Sequence, residues 1–273
     1  MGVLYLPSKR RPSWSDTMKV KRARGRNCRA RNLRDGLVGY WPMNEDGGNV
    51  AVDQSGNNCD GTLTNGPTWT VGEFGRALDF AGGGADQHVW GPTAVVSTAP
   101  LTIAGFFVPD SVTGYHTIAA IGDTNAQSFF WLCWHDANVR AQIRNGAVNK
   151  LIEVGSLTIG KAAFAAAVFD GTGVSVYCNG ASNRLAEWTT PTGLDNTTIG
   201  AAAFATGIEY DANGRIGNVP IWSRSLLSSE IQQLYAEPWC MGTLRSRPFP
   251  AAVAGFAGRK AAIIGGGVVG CAV

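Results

Sequence analysis

Few side chains in this sequence stand at spacings that could do chemistry. Glu209 and Asp211 are two residues apart. Paired carboxylates are what glycoside hydrolysis requires, one as acid and one as nucleophile or base, about 5 to 9.5 Å apart. Asn213-Gly214 follows them directly, so the preferred reading of both acids is as solvated turn residues. Nucleophilic catalysis of the Ser-His-Asp kind has only His88, His116 and His135 to draw on, and no G-x-S-x-G turn occurs. Cys133 and His135 share one strand face, but zinc needs a cluster of ligands at short spacing and no second pair accompanies them. No residue is assigned a catalytic role, and the chain is read as a non-enzyme.

Recognition chemistry is better represented. Sugar binding uses exposed aromatic faces beside polar groups. In SFFWLCWH, strand alternation puts Trp131, Cys133 and His135 on one side and Phe130 and Trp134 on the other, so one set faces outward. Trp131, Trp134 and His135 are therefore the candidate ligand-binding residues.

Charge divides the chain. It has 273 residues and a net charge of +3. Residues 1–34 hold 11 of the 23 Lys and Arg with one acid, residues 35–239 carry 19 acids against 8 basic groups, and four more basic residues follow Cys240. An acidic body thus lies between two basic ends. Arg22, Arg24, Arg26, Arg29, Arg31 and Arg34 form the core of the first, read as an assembly arm. Such a density would neutralise phosphates, an acidic protein patch or a neighbouring copy's own body. Nucleic acid fits the charge but is not the preferred partner.

The elements that must position these residues are short apolar runs of strand length separated by Gly, Asn, Asp and Thr turns from Leu37 to Tyr235. Asp170-Gly171 and Asn145-Gly146 supply the positive φ of tight hairpin turns. One helix is expected, capped by Ser228, with Glu230 in its first turn, Ile231, Leu234 and Tyr235 at helical spacing, and Pro238 as its stop. Alternating βα units are absent, which excludes a parallel nucleotide-binding sheet. No apolar run reaches the roughly 20 residues that span a bilayer, and MGVLYLP is too short for a secretory leader. The six cysteines are spaced too far apart for a metal or disulfide motif and are read as reduced. The organisation is a basic arm over 1–35, a sandwich over 36–239 and a Gly/Ala-rich tail over 240–273.

Five ordered segments resemble the laminin-G-like, concanavalin A-like family: LVGYWPMNE at 37, DQSGNNCDGTL at 53, GEFGRALDFAGG at 72, AAFAAAVFDGTGVSVYCNG at 162 and GRIGNVPIWSRSLLSSEIQQLY at 214. The resemblance implies an all-β fold, an antiparallel two-sheet jelly-roll sandwich with one short C-terminal helix and extended N- and C-terminal arms. Glucanases of this fold carry E-x-D-x-x-E, and here Gly214 takes the place of the third acid. The family often binds calcium through Asp, Asn and backbone oxygens, which makes Asp53 and Asn57 the candidate ligands. Local turn bonding is the preferred role for both, and Gly217 and Asn218 stand where the family's last strand commonly has acids. Apart from calcium no cofactor is implied. The sandwich with basic and apolar extensions is similar in architecture to bacteriophage virion proteins. The expected function is accordingly a non-catalytic recognition protein of a large assembly, as head decoration, head fibre or tail protein, located in the virion. Its partners would be copies of itself, other virion proteins and a cell-surface glycan. A free lectin module, cytoplasmic or non-classically exported, is the alternative, and a glycoside hydrolase the third reading.

Overall fold

The computed structural model describes residues 33–125, 127–205, 207–238 and 240–241. Of the basic arm only Arg34 falls within them; Arg22, Arg24, Arg26, Arg29 and Arg31, and the tail beyond 241, lie outside the described residues.

Two antiparallel sheets form the sandwich. The first runs Ala181–Leu185, Val174–Cys178, Ala163–Phe169, Leu101–Pro109, Asn213–Gly217, Gly75–Ala81 and Thr68–Gly72. Val219–Trp222 also pairs with Leu101–Pro109 and carries Leu37–Trp41 on its other side. The second runs Val148–Val154, Asn138–Asn145, Ser128–His135, Tyr115–Gly122, Asn196–Ile199, His88–Gly91, Gly61–Thr64 and Val50–Ala51. A separate hairpin pairs Ala202–Phe204 with Gly207–Glu209.

Strand LTIAGFFVP is buried along its whole length. Its Ile103 and Phe107 face the second sheet, and its Ala104 and Phe106 face the opposite way into a cluster with Phe164, Trp222, Ile231 and Leu234. The helix Ser228–Ala236 lays its Ile231 and Leu234 on that outer face. Leu33, Cys240 and Met241 pack into the same cluster, and Trp222 Nε1 donates to the Leu33 carbonyl at 2.7 Å. Each such side chain removed from water contributes about 1.5 to 3 kcal/mol. The first sheet's outer face is therefore covered by the helix together with both ends of the body.

The helix begins differently from the sequence expectation. Leu227, not Ser228, is the N-cap, with φ −70° and ψ 153°. The Ser228 hydroxyl lies 3.2 Å from the Tyr177 hydroxyl instead. Glu230, three residues on, reaches back to the cap: its carboxylate receives the Leu227 N–H at 2.9 Å and both terminal nitrogens of Arg224 at 2.8 and 2.7 Å. The Arg224 bonds hold the Glu230 carboxyl below its ordinary value, against the desolvation that opposes them. The helix stops ahead of Pro238 as the sequence requires.

At the Asp170-Gly171 turn, Gly171 takes φ +86°. Asp170 Oδ1 accepts the Thr172 and Gly173 N–H groups, each at 2.9 Å, and Oδ2 accepts Arg184 Nη1 at 2.7 Å. At Asn145-Gly146 only the glycine has positive φ, at +57°, because Asn145 closes the ladder opposite Val148.

Partial desolvation alone would raise the Asp170 carboxyl, but the bonds from Arg184 and Thr172 outweigh it and bring it to about 2. A folded value below the unfolded one gives stabilisation that is complete above about pH 4 and is lost as pH falls through the folded value. The stability gap between the native chain and Asp170→Asn should accordingly shrink between about pH 5 and about pH 2 in thermal melts. A gap that widens on acidification would contradict this assignment.

Candidate functional site

The outer face of the second sheet is built by alternation. Along Ser128–His135 the outward residues are Phe129, Trp131, Cys133 and His135, and the neighbouring strand sets Arg144, Gln142 and Arg140 opposite Phe129, Trp131 and Cys133. The hairpin 202–209 roofs one part of this face. Phe204 stacks on Phe129 with centroids 4.4 Å apart and meets Trp131 edge-on at 5.9 Å. Its backbone passes directly over Gly122, where a Cβ would lie 2.7 Å from the Ala203 carbonyl oxygen. Just beyond the hairpin, Tyr210 takes φ +60°, a conformation that costs a non-glycine residue about 1–3 kcal/mol. Thr117 N donates to the Tyr210 carbonyl at 2.9 Å, and His116 Nδ1 lies 2.7 Å from the Asp211 carbonyl, which fixes the segment to the sheet. So held, the Tyr210 ring stacks on Trp131 at 5.0 Å while remaining 39% exposed.

Polar groups border this aromatic stack. Arg140 donates through Nε to Glu153 Oε1 at 2.7 Å and through Nη1 to the Tyr115 hydroxyl at 2.7 Å, and its Nη2 lies 3.1 Å from His135 Nδ1. The His135 ring sits 4.0 Å from that of Tyr115, which in turn lies 5.1 Å from Tyr210. Between the two arginines Gln142 is 7% exposed; its Nε2 donates to Asn149 Oδ1 at 2.9 Å, but its Oε1 is sealed and accepts no protein hydrogen bond. Partial burial first, and then the Glu209 carboxylate, raise the Tyr210 hydroxyl above its ordinary value. The face offers a flat aromatic edge beside amide, guanidinium and hydroxyl groups, a set suited to hydrogen-bonding a polyhydroxylated molecule.

The residues singled out in the sequence are distributed unevenly over this arrangement. Trp131 and His135 belong to the outward set, but Trp131 is 2% exposed beneath Phe204 and Tyr210. Trp134 is no platform: at 0% exposure it lies in the inter-sheet core, stacked 4.9 Å from Phe107, with Nε1 donating to the Ser111 carbonyl. Cys133 is fully buried and its thiol is pushed up by desolvation, so it makes no pair with His135 for a metal. Asp211 is not the solvated residue expected. It is 8% exposed, and its Oδ2 accepts the Asp86 N–H at 2.8 Å. Gly214, in the place of a third acid, has φ +138° and a backbone where any Cβ would lie 2.3 Å from the Val108 carbonyl oxygen. No carboxylate could be accommodated there without moving the strand.

The candidate calcium ligands are engaged by their own turn. Asp53 receives N–H bonds from Tyr40 at 2.9 Å, Ser55 at 2.8 Å and Cys59 at 3.0 Å, and the Ser55 hydroxyl at 2.7 Å. The Asn57 amide donates to the Val38 carbonyl at 3.1 Å. Among the described residues no group of three or more His, Cys, Asp or Glu could hold a metal ion, and no helix is long and apolar enough to cross a membrane.

Tyr210 and the hairpin are what sequence reasoning missed. The signal available was AAAF at 201–204 followed by Gly207, a short apolar segment with no strand partner assigned to it.

Two antiparallel sheets with an aromatic outer face define a lectin-type sandwich. The chain belongs to the concanavalin A-like lectin/glucanases superfamily, whose model matches residues 82–232. No curated protein matches it by sequence. Among solved structures it is similar to domain 4 of AbnA, a GH43 extracellular arabinanase from Geobacillus stearothermophilus, solved with arabinotriose; the TM-score is 0.59 at 17% identity, over 73% of this chain and 98% of that one. It is also similar to a Trypanosoma rangeli sialidase mutant displaying trans-sialidase activity, with a TM-score of 0.57 at 20% identity over 76% of this chain but 33% of that one. The binding domain of botulinum neurotoxin serotype D gives a TM-score of 0.55 at 14% identity, over 74% of this chain and 52% of that one. The chain thus spans about one third of the sialidase and about half of the toxin domain. These likenesses establish the fold.

If the hairpin is the roof of this face, Phe204→Ala should cost on the order of 3 kcal/mol in urea unfolding. It should also red-shift tryptophan emission as Trp131 meets water. An unshifted spectrum at equal stability would show that Phe204 covers nothing.

Proposed function

We propose that this chain is a non-catalytic glycan-recognition protein that binds its ligand on the outer face of the second sheet and is held in a larger assembly, of the virion type, by its basic ends. The observation that carries the recognition reading is the Tyr210–Trp131 stack, whose open edge lies beside Tyr115 and His135. An exposed aromatic face held by strained backbone is also what a sugar ring packs against. The arabinotriose bound in the structure of the arabinanase domain supports the same ligand class. Asp211 is occupied by backbone and Gly214 excludes a third acid, which favours binding over hydrolysis.

The assembly reading rests on a separate observation. Leu33 and Met241, where the described body begins and ends, lie together in the cluster on the first sheet's outer face. Leu33 and Met241, the described residues next to the two basic segments, thus both sit on the side away from the aromatic face. That arrangement suits tethering from behind and display in front, with other copies or other proteins of the particle as partners.

Glycan arrays and calorimetry test the first reading. Tyr210→Ala should weaken binding at least about tenfold, the order expected for loss of one stacking contact and its neighbours, with the melting temperature nearly unchanged. A native chain that binds nothing on a broad array would overturn it. Sedimentation of the full chain against residues 33–241 tests the second. The full chain should assemble and the trimmed body should stay monomeric with the same melting temperature; identical monomers would overturn it.

A further inference from the structure

The first sheet carries a groove that the reading above does not use. It lies on the outer face between the sheet's edge strand Ala181–Leu185 and the loop entering the helix, and has a volume of about 660 Å³. Alternation and register explain its lining. Ser182 pairs with Tyr177 and Arg184 with Ser175, so these four side chains share the outward face, and Ser225, Leu227 and Ser228 close the other side. Three features bear on what would occupy it.

Its walls are rich in hydroxyls, and these are mutually held rather than loose. The Tyr177 hydroxyl lies 3.2 Å from that of Ser228, and Arg184 donates to Ser175 Oγ at 3.1 Å and Thr172 Oγ1 at 3.2 Å. The two charges in the lining cancel, since Arg184 Nη1 pairs with Asp170 Oδ2 at 2.7 Å. Finally, the N-cap position, where Ser, Asn or Asp would bond the first helical N–H groups, holds Leu227 at 68% exposure and makes no side-chain cap bond. A position where a capping residue would stabilise the helix instead presents an apolar wall to the groove. Local sequence choices that run against local stability concentrate at functional sites.

We infer that this groove is a second binding site, for an uncharged oligosaccharide. A sugar presents donors and acceptors on its rim and apolar C–H faces, which matches preset hydroxyls and a neutral ion pair facing an exposed leucine. An extended peptide would instead need a backbone ladder or deep apolar pockets. The outward side chains of Ser175, Tyr177, Ser182 and Arg184 form its floor, while the unpaired backbone edge of Ala181–Leu185 lies in the plane of the sheet.

The inference rests on the glycan-recognition reading, and its test separates the two. Backbone amide shifts of the full chain are followed by NMR as cellotetraose, xylotetraose and arabinotriose are each added to millimolar concentration. At least one sugar should shift residues 175–184 and 225–228 as a set distinct from residues 131–153 and 210. Ser182→Trp, a filling change on an exposed edge strand, should abolish the groove shifts and leave the others. Leu227→Asn should weaken groove binding several-fold while raising the melting temperature, a split that a merely structural residue would not give. Shifts confined to the aromatic face would overturn the second site and leave the first. No shift anywhere with any of the three sugars would overturn both. Groove shifts caused by a peptide of residues 1–32, with none caused by the sugars, would reassign the groove to the basic arm.

Discussion

Strand Leu101–Pro109 is buried along all nine of its residues, and every other feature of the molecule follows from what it takes to bury both of its faces. One face meets the second sheet through Ile103 and Phe107, which any two-layer sandwich provides. The other, with Ala104 and Phe106, lies on the outside of the sandwich and would be wet unless something covered it. The chain covers it with segments that flank the sandwich: the helix Ser228–Ala236, Leu33, Cys240 and Met241. Closing the core from this side puts Leu33 and Met241 together on the first sheet's side of the body.

The second sheet meets the same demand differently. Its outer aromatic residues are covered by a two-stranded hairpin that stops short of the Tyr210 ring. A roof that covered the whole sheet would have made a more stable object with nothing to present. The partial roof keeps Trp131 rigid and dry while Tyr210, stacked upon it, stays open to solvent at its edge. The left-handed backbone at Tyr210 and the unpaired Gln142 oxygen are both local costs, and both fall at this margin. The recognition proposed for this molecule would thereby fall where covering of the sheet gives out.

Much of the fold was legible in the sequence, because period-two alternation and turn residues are local signals. The runs at 101, 116, 128, 138, 162 and 174 are strands, Gly171 and Gly146 take the positive φ their turns demand, and Pro238 follows the end of the helix. The alternation in Ser128–His135 correctly divided Trp131 from Trp134. Which set faced the core could not be read, since both sides carry tryptophan and both are buried. Long-range contacts were illegible for the same reason. Asp211 looked like a solvated turn acid because its partner, the Asp86 N–H, is 125 residues away. Ser228 looked like a cap because nothing nearby in sequence reveals that Tyr177 engages it and that the helix is entered one residue earlier, at Leu227, whose N–H goes to the Arg224-clamped Glu230.

The account stands or falls on whether ligand meets the margin of the hairpin. A co-crystal structure of the full chain with the tightest-binding oligosaccharide from an array examines this most directly. It should place a sugar ring against the exposed edge of Tyr210. A sugar bound elsewhere on the sandwich, with Tyr210 untouched, would contradict it.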